Sequence, residues 1–192
     1  MSWSLGEFRA LAVKAARGSG MPWGLAEEAG FAAERLEANG ICGADALASY
    51  LQNADPLDTA HCPVLLGTRL SDANSTENQF PAQIHEPILI VPFLQDFAGD
   101  KTLVLSWGAT RALITASGFS VEGPQLAASG EPVTCELSTT DKSGSGSDRT
   151  SRVPDERSGA MRILEDLAKK TYAPATEESR AKGAGAGLND ND

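Results

Sequence analysis

The residues best equipped for chemistry crowd into the end of the chain, Thr171 to Asp192, which reads TYAPATEESRAKGAGAGLNDND. Tyr172 brings a phenol, Glu177 and Glu178 paired carboxylates, and Arg180 and Lys182 two cations. Gly183, Gly185 and Gly187 leave backbone N–H groups free to approach a ligand closely or to take positive φ. A glycine-rich nest beside Arg180 is suited to a carboxylate or phosphate. Tyr172, Glu177, Arg180, Gly183, Gly185 and Gly187 are therefore the candidate ligand-binding residues, with Tyr172, Glu177 or a histidine as proton carrier. The spacing is not that of a dinucleotide fingerprint, and no Gly-Lys-Ser/Thr closes a phosphate loop. The bland reading of the same residues is a solvated tail.

The soft ligands are few: His61, His85, Cys42, Cys62 and Cys135. None stands in the close pairs that zinc sites use, so no metal is expected, and no cofactor is implied. A Cys nucleophile with a His base remains open in principle, because such partners meet in space rather than in sequence. An odd number of scattered cysteines argues against a disulfide framework and for a reducing, cytoplasmic setting.

Charge narrows the partners. The chain has 192 residues, 16 Lys and Arg, 26 Asp and Glu, and a net charge of −10. That balance opposes binding to a phosphate backbone or to an anionic membrane surface. No apolar run approaches the roughly 20 residues of a membrane span, and the opening MSWSLGEFRALAVKAARG lacks the apolar core of a signal peptide.

The elements that must position these groups begin with helices. Leu5, Phe8, Leu11, Ala12 and Ala15 recur at helical spacing and predict a helix over 4–17. Pro22 opens a second whose stripe is Leu25, Ala29, Ala32, Ala33 and Leu36, with Asn39-Gly40 as its stop. A third runs from Ala44 to Gln52. Over residues 1–53 four bases face six acids, so the unit is not a helix-turn-helix DNA reader. From Pro63 the pattern predicts strands: Val64–Leu70, the run Ile88–Leu94 interrupted by Pro92, Thr102–Trp107, Arg111–Thr115, Phe119–Glu122 and Val133–Leu137. Ser138–Arg152 reads as a mobile loop. Ala160, Ile163, Leu164, Leu167 and Ala168 then line a helix over 155–170.

The expected fold class is α+β in one compact domain. It has a helical unit at 1–56, a mainly antiparallel sheet region at 63–137, a mobile loop at 138–153, and a helix with an ordered C-terminal motif at 154–192.

Two stretches together carry a resemblance. The opening MSWSLGE…LAVKAARGSGMPWGLAEEAG and the closing LAKKTYAPATEESRAKGAGAGLNDND resemble an uncharacterised family of bacterial proteins of about this length. That resemblance brings no activity or catalytic residue; it implies that the closing motif is part of the fold. Residues 5–52, through Gly40-Ile41-Cys42-Gly43 and Tyr50-Leu51, are also similar to the N-terminal part of malate/L-lactate dehydrogenases. Those enzymes carry a Ser-His-Gly with a functional histidine where this chain has Gly43-Ala44-Asp45.

Two functions follow from the residues. The first is a non-catalytic binding or assembly protein, with the small-residue stripe along 25–36 offered to a protein partner or a second copy. The second is a small-molecule enzyme or binding module that holds an anionic metabolite at the C-terminal Arg/Gly motif.

Overall fold

The structure is a computed structural model that describes residues 3–55, 57–73, 79–127, 130–141 and 150–172. It is α+β. Helices α1 (Leu5–Gly18), α2 (Trp23–Ala38) and α3 (Gly43–Asn53) come first. Ser4 caps α1 through a capping box: its hydroxyl accepts from the Glu7 N–H, and the Glu7 carboxylate returns to the Ser4 backbone at 2.9 Å. The Ser4 hydroxyl also donates to the Glu7 carboxylate at 2.7 Å, and that bond, then the one from the Ser4 N–H, holds the Glu7 carboxyl below its ordinary pKa. Phe8, Ala12, Ala15 and Ala16 of α1 are buried, and so are Ala26, Ala29, Gly30, Ala32, Ala33 and Leu36 of α2. Small side chains let these helices pack closely, and α2 also packs on α3.

The segment read from sequence as a strand over Val64–Leu70 is instead helix α4 (Pro63–Ala73). Besides Pro63, its buried positions are Val64, Gly67 and Leu70, three apart, as a helix requires. Pro63 takes the first turn, and the Cys62 sulfur accepts from the Leu65 N–H at 3.4 Å. A Cβ on Gly67 would lie 2.3 Å from the Phe93 ring, so only glycine admits this packing. The run Ile88–Leu94 is not strand either. A 3₁₀ turn (Pro87–Ile90), α5 (Val91–Leu94) and a second 3₁₀ turn (Gln95–Phe97) succeed one another. Pro87 and Pro92 sit at the starts of those turns, and residues 87–94 are buried throughout. A helical stretch that is apolar all round reads like a buried strand.

The sheet holds β2 (Ala82–Ile84), β3 (Thr102–Trp107), β4 (Thr110–Thr115), β5 (Gly118–Glu122) and β6 (Val133–Thr140) in the order β2-β6-β3-β4-β5, antiparallel throughout. β6 runs three residues into the stretch expected to be a loop, because Ser138 and Thr139 pair with Val104 and Leu103. Beyond it, β7 (Arg152–Val153) pairs with β1 (Trp3–Ser4). A 3₁₀ turn (Asp155–Arg157) leads into α6 (Ser158–Lys169), which packs on α1 and α3. Among the described residues, no helix is long and apolar enough to cross a membrane.

Arg157, in the turn before α6, ties that turn to α2 and α3. Its Nε lies 3.1 Å from Asp45 and 3.4 Å from Glu37, and Glu37 accepts the Ala44 N–H at 2.8 Å. Burial raises the Glu37 carboxyl above its ordinary pKa, while Ala44 and Arg157 pull it back. Asp45 is thus engaged in an ion triad with Arg157 and Glu37.

Candidate acid–base site

Both histidines of the chain meet at one place. His61 lies in the loop between α3 and α4, and His85 directly follows β2. The His85 N–H donates to the His61 carbonyl at 3.0 Å, which joins the strand end to the loop. Their rings stand edge to face, with centroids 6.1 Å apart.

Asp58 sets the orientation of His61. One carboxylate oxygen accepts the Ala60 N–H at 2.9 Å and closes a tight Asx turn. The other lies 2.7 Å from His61 Nδ1. The His61 bond, then the Ala60 bond, holds the Asp58 carboxyl below the ordinary carboxylate range. A carboxylate can only accept, so His61 Nδ1 carries a proton, and in the neutral ring the lone pair is left on Nε2. At His85 the Gly130 carbonyl plays the same part, 2.9 Å from Nδ1. Two imidazoles are therefore fixed in the tautomer whose Nε2 is a base. His61 is the accessible one, with its side chain 34% exposed, whereas His85 is buried.

Behind them lies Tyr50 of α3, whose ring centroid is 6.3 Å from that of His85. It is 1% exposed, and its hydroxyl makes no well-formed hydrogen bond among the described residues. Burial, then the neighbouring Cys62 thiol and the Asp58 and Asp55 carboxylates, raises its pKa, so the phenol keeps its proton. A buried polar group without a partner costs on the order of 1–3 kcal/mol, a cost that functional sites often carry.

Glu86 fixes the far side. It is a non-glycine residue at φ 39°, a conformation that costs about 1–3 kcal/mol. Its carboxylate accepts the Ser49 hydroxyl at 2.5 Å and the Ala127 N–H at 3.1 Å. Burial raises its pKa, opposed by those two bonds and by His85. The strained turn and the two bonds to Glu86 hold the backbone that carries His85.

Of the soft ligands considered from sequence, the fold gathers His61, Cys62 and His85. It leaves Cys42 and Cys135 elsewhere, buried, their thiols pushed up to about 12 by desolvation. Among the described residues, no group of three or more His, Cys, Asp or Glu side chains is arranged to hold a metal ion. Of the C-terminal candidates, Tyr172 lies just past α6, exposed, with the Lys14 ammonium 5.8 Å from its ring centroid. Glu177, Arg180, Gly183, Gly185 and Gly187 lie outside the described residues. Sequence reasoning passed over Asp58, Tyr50 and Glu86. The one local signal was Asp58-x-x-His61 in a loop, a spacing that lets a carboxylate reach an imidazole across a turn.

No curated protein and no solved structure matches this chain. The stretch 3–79, which carries Tyr50, Asp58, His61 and Cys62 but stops short of His85 and Glu86, matches the model of a family described as Protein of unknown function (DUF3726).

Proposed function

We propose that this chain moves a proton on a small molecule, with His61 as the exchanging base. His61 Nε2 takes a proton from the substrate, the imidazolium rests against the Asp58 carboxylate, and the same proton is returned at another atom or to solvent. His85 and Tyr50 extend the site inward, with Tyr50 as a neutral hydrogen-bond donor. The observation that carries this reading is the 2.7 Å contact of Asp58 with His61 Nδ1 on a part-exposed ring. The rival reading, a non-catalytic binding or assembly protein, rested on the lack of recognisable catalytic machinery in the sequence, with the small-residue stripe of α2 as a candidate partner surface. That stripe packs among the chain's own helices.

The test is a comparison by mass spectrometry. A metabolite extract in deuterated water is incubated with the wild-type chain and with His61→Gln. The expected result is solvent deuterium entering at least one metabolite, or a new isomer, with wild type. His61→Gln should be slower by about a hundredfold, the low end of what a positioned base contributes. No exchange or conversion by wild type, or equal rates in both proteins, sinks the proposal.

A further inference from the structure

At the opposite ends of α1 and α6 from their starts, a groove of about 620 Å3 opens between the last turns of the two helices and the first turn of α2. Lys14, Arg17 and Lys170 line it, together with Trp23 and Tyr172. Both aromatic rings are more than half exposed, Trp23 at 62% and Tyr172 at 61%. Each is paired with a cation: the Arg17 guanidinium is 5.5 Å from the Trp23 centroid, and the Lys14 ammonium 5.8 Å from that of Tyr172. The Trp23 indole is held by its N–H, which donates to Glu27 at 3.0 Å.

The charge of this groove runs against the chain. The sequence has 26 acids to 16 bases, yet no carboxylate is among the described residues that line the groove. The bland account is that bases gather where helices end, to offset the macrodipole. Two helix C-termini bring about half a negative charge each. Three cations outweigh them by about two positive charges; the Arg17 guanidinium also donates to the Met21 carbonyl at 2.5 Å, while Lys14 and Lys170 are exposed. Exposed rings flanked by cations also lose little on binding a flat partner.

From these features we infer that the groove binds a flat aromatic or heteroaromatic molecule carrying a phosphate or carboxylate. The ring stacks on Trp23 or Tyr172, and the anion meets Lys14, Arg17 and Lys170. The volume lies within the range of small-molecule sites, about 300–1,000 Å3. This inference is independent of the acid–base site.

Calorimetric titration of the full chain tests it with four probes: adenosine 5′-monophosphate, adenosine, inorganic phosphate and 2-naphthoate. The monophosphate or the naphthoate should bind, and whichever does identifies the preferred anion. Adenosine and phosphate alone should each bind more weakly by about tenfold or more, since each lacks one half of the recognition. Lys14→Met/Lys170→Met keeps the aliphatic stems of two exposed side chains. It should weaken the anionic ligand by about tenfold or more and flatten its salt dependence. Trp23→Leu should weaken the ring-bearing probes and leave inorganic phosphate unchanged. The inference is overturned if neither the monophosphate nor the naphthoate binds at millimolar concentration. Equal binding of adenosine and its monophosphate, or full affinity in the double lysine variant, also overturns it.

Discussion

Gly18→Ala sets two effects of opposite sign against each other. In an exposed helix interior the change from glycine to alanine stabilises by about 1 kcal/mol. At Gly18 the new Cβ would stand 1.9 Å from the Leu167 carbonyl oxygen of α6. An ordinary C···O approach is about 3.3 Å, so the shortfall is about 1.4 Å. The obstacle is backbone, and no rotamer change relieves it; α6 must slide off the end of α1. Overpacking costs about 1–3 kcal/mol when side chains can adjust, and a backbone clash belongs at or beyond the top of that range. Subtracting the propensity gain leaves a net loss of about 2 kcal/mol. For a chain of this size that lowers the melting temperature by about 4–8 °C. Gly6→Ala, near the start of the same helix with nothing within 4 Å of its new Cβ, is the control and should not lower it. Paired thermal melts by circular dichroism decide the matter. A Gly18→Ala protein that melts at or above wild type, with Gly6→Ala also unharmed, would refute the packing argument.

Three further outcomes are expected. Arg157→Met removes the cation from two carboxylates, one of them fully buried, and should cost about 3–5 kcal/mol in a denaturant melt; a second change, Glu37→Gln, should restore part of the loss. The buried Glu86 carboxyl binds its proton more tightly folded than unfolded. Its contribution is therefore fully present below the unfolded pKa and is lost as pH rises through the folded one. The melting temperature of Glu86→Gln relative to wild type should accordingly climb as pH rises above the ordinary carboxylate range, and a flat or falling difference contradicts this. Tyr50→Phe deletes a buried hydroxyl without a well-formed bond, so it should stabilise the fold by about 1–3 kcal/mol while the exchange activity drops; a loss of stability would mean that the hydroxyl is well satisfied in the folded protein.

What the sequence made legible follows from how each element announces itself. α1 and α2 have alternating faces, and their stops, Gly18-Ser19-Gly20 and Asn39-Gly40, are local chemistry. The hairpin of β3 and β4 was marked by Gly108, which takes φ 51°. Val64-Leu65-Leu66 and Ile88-Leu89-Ile90-Val91 carry no such signal, since an unbroken apolar run is compatible with either element. The three-residue spacing of Val64, Gly67 and Leu70 shows as the buried face of α4 only once the ring of Phe93 lies against Gly67. The acid–base site was hidden for a different reason. His61 and His85 are far apart in the chain, and the bond between their backbones exists only once β2 has joined the sheet. Tyr50 read as a core aromatic, which it also is.

The short ladder of β1 with β7 has a consequence for how the chain is assembled. Trp3 meets Val153, so the chain's first strand waits for a segment made some 150 residues later. Between them the chain leaves the helices after α4 for β2, returns to pack residues 87–94 on α2 and α4, builds the rest of the sheet, and comes back to lay α6 along α1. The helical part is thus written in separate instalments, with strands between them. A polypeptide cut to residues 3–79 would present α1 without the helix that covers it, exposing apolar surface to the first partner it met. The stretch that matches the family model is therefore not one that finishes its own core. Closing so distant a contact carries a large loop entropy, and docking of α6 should be among the last steps of folding.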